Sequence, residues 1–179
     1  MRTILDKQKF NVVIERLSHQ LIENHGDFTN SAIIGIQPRG VRLSDRIKTY
    51  TESRLGQSIP YGQLDITFYR DDFKSGKEIL IPSMTHIDFS VEGKRVVLID
   101  DVLFTGRTIR SALDALLDFG RPAKVELMTL VDRRFSREFP IQADYVGVTI
   151  DSFITQKVKV FWKEIHKKDE VVLLDHESK

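Results

Sequence analysis

Residues 96–108 read Val-Val-Leu-Ile-Asp-Asp-Val-Leu-Phe-Thr-Gly-Arg-Thr. The first four residues form a short apolar run rich in β-branched side chains, which is typical of a central strand in a parallel sheet covered on both faces. Two adjacent acids, Asp100 and Asp101, follow the run directly, and open parallel sheets bind ligands at the carboxyl ends of their strands. Because buried carboxylates are costly without polar partners, the stretch predicts an α/β fold with a polar site.

A helix is predicted to begin at the turn Thr105-Gly106, after the acids. The apolar residues that follow recur at helical spacing, and the pattern ends at Gly120 and Pro122. Free N–H groups at the helix start, together with the Thr105 and Thr108 hydroxyls, favour a phosphate monoester. The carboxylates favour hydroxyl groups or a hydrated Mg²⁺ ion. A ribose 5-phosphate unit would satisfy both ends of such a site, whereas the alternative is a merely solubilised strand end and a helix cap.

Alternating strands and helices predict a mainly parallel sheet flanked by helices. Helices are predicted over residues 6–24 and 41–55, and strands over residues 32–36, 64–69, 125–131 and 145–150. The chain of 179 residues has no separate linker, so we predict a single domain over residues 1–179.

The composition excludes several classes of function. Lys and Arg number 27 against 26 for Asp and Glu, so the global charge does not indicate nucleic-acid binding. The absence of cysteine excludes disulfides, thiol catalysis and cysteine metal sites. The amino terminus lacks a signal-peptide pattern and no apolar run has membrane length, so we expect a cytoplasmic protein with no membrane partner.

The stretch 96–108 resembles the phosphoribosyl pyrophosphate signature of type I phosphoribosyltransferases. Five other segments resemble segments of the PyrR family, whose members are pyrimidine-operon attenuators that also act as uracil phosphoribosyltransferases. The segments are Gly-Ile-Gln-Pro-Arg-Gly at 35–40, Asp-Ile-Thr-Phe-Tyr-Arg-Asp-Asp at 65–72, Gly-Arg-Pro at 120–122, Leu-Val-Asp-Arg at 130–133 and Ala-Asp-Tyr-Val-Gly at 143–147. The resemblance implies a type I phosphoribosyltransferase fold, with a mainly parallel central sheet flanked by helices and a small hood over the carboxyl edge.

The resemblance also implies an activity, which is transfer of the 5-phosphoribosyl group from phosphoribosyl pyrophosphate to a nucleobase. Uracil is the expected base, with UMP and pyrophosphate as products and UMP or another nucleotide as effector. Asp100 and Asp101 are expected to hold the ribose diol, and Arg39 and Arg70 to stabilise pyrophosphate together with Mg²⁺. A homodimer or higher homo-oligomer is expected, as in relatives.

The other expected site residues follow from the same resemblance. The substrate-binding residues would be Gly40, Val102, Leu103, Phe104, Thr105, Gly106, Arg107, Thr108, Tyr145, Val146 and Asp151. Asp132 would lie near the metal and Arg133 would stabilise negative charge. Residues 73–77 resemble an active-site hood loop. Tyr145 could instead be a core residue, since tyrosine is often part-buried.

Two segments depart from the family pattern. Relatives usually read Val-Asp-Arg-Gly-His-Arg-Glu-Leu-Pro, whereas residues 131–140 read Val-Asp-Arg-Arg-Phe-Ser-Arg-Glu-Phe-Pro, which is one residue longer. Residues 147–153 replace the usual Gly-Lys-Asn-Ile-Pro-Thr-Ser with Gly-Val-Thr-Ile-Asp-Ser-Phe. This second change lies next to the expected base pocket, so transfer to a purine or another base stays an alternative.

RNA regulation is a second alternative. Glu15 precedes Arg16, and Pro38 stands where relatives usually have a hydroxyl residue. An acid near a phosphate backbone opposes the attraction that dominates RNA affinity, although Arg134 and Arg137 could compensate. We therefore predict catalysis first, with a PyrR-type regulator that binds leader RNA of pyrimidine genes, and has weak or no catalysis, as the alternative.

Overall fold

The computed structural model describes residues 1–71 and 82–175. The strands are β1 (Arg2–Leu5), β2 (Ser31–Ile36), β3 (Tyr61–Leu64), β4 (Arg95–Leu103), β5 (Lys124–Arg134), β6 (Tyr145–Asp151), β7 (Lys157–Phe161) and β8 (Glu170–Leu174). The helices are α1 (Lys7–His25), α2 (Gly40–Leu55), α3 (Arg107–Leu117) and α4 (Lys163–His166). Five strands form a parallel sheet in the order β3-β2-β4-β5-β6, as the alternation of elements predicts.

Apolar layers cover both faces of this sheet. On one face, α1 and α2 bury side chains such as Leu17 and Ile47 in one cluster with Ile99 of β4. On the other face, α3 buries Ile109 and other residues against the intervening strand positions, which include Leu98. Because each central strand meets an apolar layer on both sides, its residues are continuously buried. This packing fixes where the carboxyl end of β4 lies.

The hood is a second, antiparallel sheet in the order β1-β8-β7. Arg46 of α2 ties it to the helical layer. The Arg46 guanidinium donates to the carboxylates of Glu164 at 2.9 Å and Asp169 at 2.6 Å, and its charge lies 5.5 Å from the ring of Phe10 and 5.2 Å from that of Trp162. The predicted hood is therefore present. In the described part of the chain, no helix is both long enough and apolar enough to span a membrane.

Two predicted strands differ from the observed ones. The prediction of a strand over residues 64–69 is wrong, because β3 ends at Leu64 and residues 67–69 form a 3-10 turn. The Asp65 carboxylate accepts hydrogen bonds from the Thr67 N–H at 3.0 Å and hydroxyl at 2.6 Å, which closes the chain locally. The strand over 96–99 continues to Leu103, so the two acids lie within β4 rather than after it.

Candidate active site

Asp100 and Asp101 lie near the carboxyl end of β4 and are almost completely buried, with exposed fractions of 7% and 6%. Burial raises the pKa of Asp100 to about 8, and the negative charge of Asp101 acts in the same direction. Burial also raises the pKa of Asp101 to about 6. The positive charge of Arg39 opposes both shifts, and that of Arg70 opposes the shift at Asp100. The structure thus brings together the four residues predicted to be catalytic, and strongly shifted pKa values are typical of functional sites.

Gly40 allows the start of α2 to approach β4. A β-carbon at position 40 would lie 3.0 Å from the Cα of Asp100 and closer still to the carbonyl oxygen of Ile99. Only a residue without a side chain permits this contact with the neighbouring backbone. The turn that carries Arg39 is therefore held directly against the acid pair.

Residues 104–106, which we call the β4–α3 loop, join the acid pair to α3. Gly106 has a φ of 89°, a conformation that glycine adopts readily. Gly106 occupies the N-cap position of α3 and has no side chain to cap it, and the N–H of Arg107 makes only a long 3.4 Å hydrogen bond to the Thr105 hydroxyl oxygen. The first N–H groups of a helix have no partners within the helix and carry partial positive charge, so they are available to an anion. Phe104, Thr105 and Thr108 are half-buried at this end of the site.

Arg107 forms an exposed bridge on the rim of the loop. Its guanidinium pairs with the carboxylates of Asp71 and Glu138 and lies 5.5 Å from the ring of Phe139. The prediction that Arg107 contacts substrate stays a prediction, since these pairs are exposed and exposed pairs are weak. Asp72 and the hood loop predicted over residues 73–77 lie outside the described residues.

Acids at the ends of β5 and β6 are paired with arginines. The Asp132 carboxylate pairs with Arg137, and the Asp151 carboxylate accepts a hydrogen bond from Arg134, with the two atoms 2.6 Å apart.

Leu103 is 1% exposed and packs under α3, so its side chain faces the core and only its backbone could contact a substrate. The prediction that Leu103 contacts substrate therefore stays a prediction for its backbone, while its side chain is a packing residue.

Arg133 supports the site from inside the protein rather than facing a substrate. It is 5% exposed and donates hydrogen bonds to the Ser152 hydroxyl at 2.9 Å and to the carbonyl oxygens of Phe153 at 3.1 Å and Gln156 at 2.9 Å. Its guanidinium also lies 3.8 Å from the ring centre of Phe104. The expectation that Arg133 stabilises substrate charge is therefore corrected, because its contacts tie the β4–α3 loop to the segment after β6.

Tyr145 is the first residue of β6, and the burial of its side chain contradicts its predicted contact with a nucleobase. The side chain is 3% exposed, and its hydroxyl accepts a hydrogen bond from Asn24 at 3.1 Å and lies 3.2 Å from His25. In the sheet Tyr145 pairs with Met128, which pairs with Ile99, so its backbone is level with the residue before Asp100 and it is the burial of the side chain against α1 that removes it from the site. The neighbouring Val146 carbonyl accepts from Arg16 of α1 at 3.2 Å, so it too is bound within the protein.

The carboxylates at this edge fit a magnesium ion carried by a substrate. Within residues 1–71 and 82–175, no group of three or more His, Cys, Asp or Glu residues could hold a metal ion. Mg²⁺ usually keeps several waters and binds one or two carboxylates together with substrate phosphates. Asp100 and Asp101 supply such a donor set. The carboxylate of Asp132 is paired with Arg137, so a metal role for it requires that pair to open.

The raised pKa of Asp100 predicts how folding stability depends on pH. In the unfolded chain this carboxyl ionises near its ordinary value of about 4, whereas in the folded protein it stays protonated up to about pH 8. The contribution of Asp100 to the free energy of unfolding is therefore complete below pH 4 and is lost as the pH rises to 8.

Urea denaturation at pH 5 and pH 8 measures this effect. We expect the fall in stability between these pH values to be smaller in Asp100→Asn than in the unmodified protein, by at least about 2 kcal/mol. Asp114→Asn, which changes a carboxyl 49% exposed on α3, serves as the control. Equal falls in the Asp100→Asn variant and the unmodified protein would contradict the assignment.

The family model of the phosphoribosyl transferase domain matches residues 1–165. The chain is 48% identical over 171 residues to the bifunctional protein PyrR of Desulfosudis oleivorans, which covers 95% of this chain and 94% of that protein. It is 42% identical over 173 residues to the bifunctional protein PyrR of Elusimicrobium minutum, with coverage of 97% and 96%.

Solved structures show the same fold. The hypoxanthine phosphoribosyltransferase of Trypanosoma cruzi matches with a TM-score of 0.72 at 14% identity, covering 99% of this chain and 98% of that chain. A hypoxanthine phosphoribosyltransferase of Staphylococcus aureus matches with a TM-score of 0.70 at 22% identity, covering 98% and 93%. The predicted type I phosphoribosyltransferase fold is confirmed.

Proposed function

Because this chain belongs to the phosphoribosyl transferase domain family and, within it, to the PyrR proteins, we propose that it transfers a phosphoribosyl group from phosphoribosyl pyrophosphate to uracil. The products are UMP and pyrophosphate. The observation that carries the proposal is the buried pair Asp100 and Asp101, which lies beside Arg39 and Arg70 and just before the start of α3, where the N-cap residue is a glycine. One site thus offers acceptors for a diol and donors for phosphates.

The acid pair acts on the ribose ring in this proposal. In the substrate complex the positive charge of a bound Mg²⁺ would favour the ionised forms of Asp100 and Asp101, whose carboxylates accept hydrogen bonds from the two adjacent ribose hydroxyls. A ring nitrogen of the base then forms a bond to the anomeric carbon while the bond from that carbon to pyrophosphate breaks, and the proton of that nitrogen passes to the departing pyrophosphate or to water. Positive charge develops on the sugar in the transition state, and two fixed carboxylates stabilise it electrostatically.

The start of α3 holds the 5-phosphate in this proposal. The N–H groups of the β4–α3 loop and of the first helical turn point toward an anion, and the Thr105 and Thr108 hydroxyls add donors. Because β4 leads directly into the loop, the separation between the acids and the helix start is fixed. This fixed separation orients the ribose for attack, which lowers the entropic part of the barrier.

Arg39 and Arg70 hold the departing pyrophosphate in this proposal. Two guanidinium groups donate in fixed geometry to phosphate oxygens and balance the charge that builds on the leaving group. Gly40 keeps the Arg39 turn against Asp100, so the position of the leaving group relative to the ribose is fixed. Mg²⁺ bound with the substrate would further neutralise the pyrophosphate oxygens.

The nucleobase would lie beyond the ends of β4 and β6, beside Val102 and near Asp151. Val102 is half-buried and offers an apolar wall, which flat rings need. Asp151 with its partner Arg134 offers both an acceptor and donors. Such a pair could serve uracil or another base, so the identity of the base is the least constrained part of the proposal.

A panel of bases tests the activity. Uracil, cytosine, orotate, adenine, guanine and hypoxanthine are each incubated with phosphoribosyl pyrophosphate and Mg²⁺, and pyrophosphate and nucleotide are quantified. We expect UMP from uracil, with a kcat/KM at least about 100-fold above that of any other base, a discrimination typical of sites that read polar groups. Preference for a purine would overturn uracil as substrate, and six inert bases would overturn the activity.

A regulator that binds RNA is the second candidate function, because the relatives carry the name bifunctional protein PyrR. The charges of the chain favour catalysis over this role. Arg16 is bonded to β6, Arg134 to Asp151, and Arg137 to backbone carbonyls, so these cations are engaged within the protein. Glu15 adds an exposed acid beside Arg16.

Filter binding of a pyrimidine leader RNA, with and without UMP, tests the regulator. Tight retention that depends on the nucleotide, together with inert bases, would favour regulation over catalysis. Weak retention that does not respond to UMP would support the enzyme alone. We also propose a homodimer or larger assembly, which sedimentation of the same protein measures.

A further inference from the structure

Residues 137–141, which we call the outer segment, bind the carbonyl groups of the β4–α3 loop and of the residue before it. The Arg137 guanidinium donates to the carbonyl oxygens of Leu103, at 3.5 Å, and of Phe104. The backbone N–H groups of Glu138 and Phe139 donate to the carbonyl oxygen of Thr105 at 2.9 and 3.1 Å. Three consecutive carbonyls are thus turned toward one segment of the chain.

This arrangement determines where the N–H groups of the loop point. In a planar trans peptide, the carbonyl of one residue and the N–H of the next point in opposite directions. The N–H groups of Phe104, Thr105 and Gly106 therefore point away from the outer segment. They point to the opposite side of the loop, and the Arg107 N–H at the start of α3 makes only a long 3.4 Å hydrogen bond, to the Thr105 hydroxyl oxygen.

Arg137 is itself held in place from several sides. Its guanidinium pairs with Asp132 and donates to the carbonyl oxygens of Arg133 at 3.0 Å and Ile141 at 2.9 Å. The side chain is only 24% exposed. One guanidinium carries five N–H donors in a fixed plane, and neither lysine nor a neutral side chain can replace that geometry.

The geometry points to Arg137 as a positioning residue that, with the rest of the outer segment, turns the N–H groups of the β4–α3 loop toward the 5-phosphate. This inference rests on the proposed function, because it assigns the phosphate to that loop. Arg137 does not touch the substrate in this account. It acts by holding carbonyls that would otherwise turn toward the phosphate and repel it.

Calorimetric titration with ribose 5-phosphate tests the inference in three variants. We expect Arg137→Met to weaken binding at least 30-fold and Arg137→Lys to weaken it less. The control is Arg110→Met, which removes the same charge near the start of α3 from a guanidinium 42% exposed and paired with Asp114 at 2.9 Å. The control should retain binding within threefold.

Kinetics separate positioning from a general loss of folded protein. We expect both Arg137 variants to raise the KM for phosphoribosyl pyrophosphate and to leave the KM for the base unchanged, whereas partial unfolding would lower only kcat. If Arg137→Met does not fold, the calorimetric titration and the kinetics are measured on Arg137→Lys and Arg137→Gln instead.

The possible results distinguish failure of the inference about Arg137 from failure of the proposed transferase activity. Wild-type protein that binds ribose 5-phosphate but forms no nucleotide overturns the proposed function and not the inference, which the calorimetry still tests. Unchanged binding in the Arg137 variants, an equal loss in the control, or no binding by the wild type overturns the inference.

Discussion

Replacing both Asp100 and Asp101 with asparagine should lower kcat for nucleotide formation by at least about a thousandfold, the scale of removing preorganised groups that stabilise a transition state. Asparagine keeps the size of the side chain and some hydrogen bonding to the ribose diol. It removes the negative charge that opposes the positive charge developing on the sugar. Steady-state formation of nucleotide at pH 8 measures the loss.

The same double variant should be at least as stable as the unmodified protein at pH 8. Burial raises the pKa of both carboxyls, so their ionised forms are disfavoured in the folded state and neutral amides avoid that cost. Urea denaturation measures the free energy of unfolding, and Asp114→Asn on the exposed face of α3 is the control for both measurements. Unchanged turnover in the double variant would remove the acid pair from the mechanism.

Gly40→Ala should produce the second large loss, which we expect to be at least 100-fold in kcat/KM for phosphoribosyl pyrophosphate. The added methyl group would meet backbone atoms at Ile99 and Asp100, and backbone cannot rotate aside as a side chain can. The start of α2, which carries Arg39, must therefore move away from the acid pair. Misplacement by about 1 Å can cost roughly 100-fold in rate even when every catalytic group is present.

Gly93→Ala is the matched control for this variant. Gly93 has a φ of 70° and nothing within 4 Å of the added carbon, so its replacement strains the backbone without a steric clash. We expect it to cost about 1 kcal/mol of stability, as alanine does at such positions, and to leave kcat/KM unchanged. Equal activity of Gly40→Ala and Gly93→Ala would show that the close approach of α2 to β4 does not matter for the reaction.

The acid pair and the helix after it could be predicted because both are encoded locally. An apolar run, two acids and a helical repeat follow one another within residues 96–117, and the direction of a parallel strand then gives the edge of the sheet. Sequence segments alone also indicated the family. The hood could be expected only from that resemblance, because its strands come from both ends of the chain.

Two errors have physical causes. The resemblance predicts Tyr145 at the site, but its side chain is buried and bonded to Asn24 and His25 of α1, which lie 121 and 120 residues away along the chain. The predicted strand over residues 64–69 rests on the β-branched and aromatic side chains of residues 66–69, which are types common in strands. The side-chain hydrogen bonds of Asp65 to Thr67 close a turn instead, and such local competition overrides strand propensity.

Arg137 could not be assigned from sequence at all. Its partners are mainly backbone carbonyls from two different strand ends, and carbonyls are identical in every residue. An arginine between a serine and a glutamate is usually exposed, and only the fold shows that this one is bound within the protein. The same holds for Arg133, whose acceptors lie 19 to 23 residues along the chain.

Calorimetric titration with phosphoribosyl pyrophosphate and Mg²⁺ tests the central claim most directly, because it requires no knowledge of the base. The account predicts one binding site per chain, competition by UMP, and at least a tenfold weaker affinity in the Asp100→Asn, Asp101→Asn variant. No heat of binding in the unmodified protein, or the same affinity in the double variant, would contradict a site in which these two acids hold the sugar.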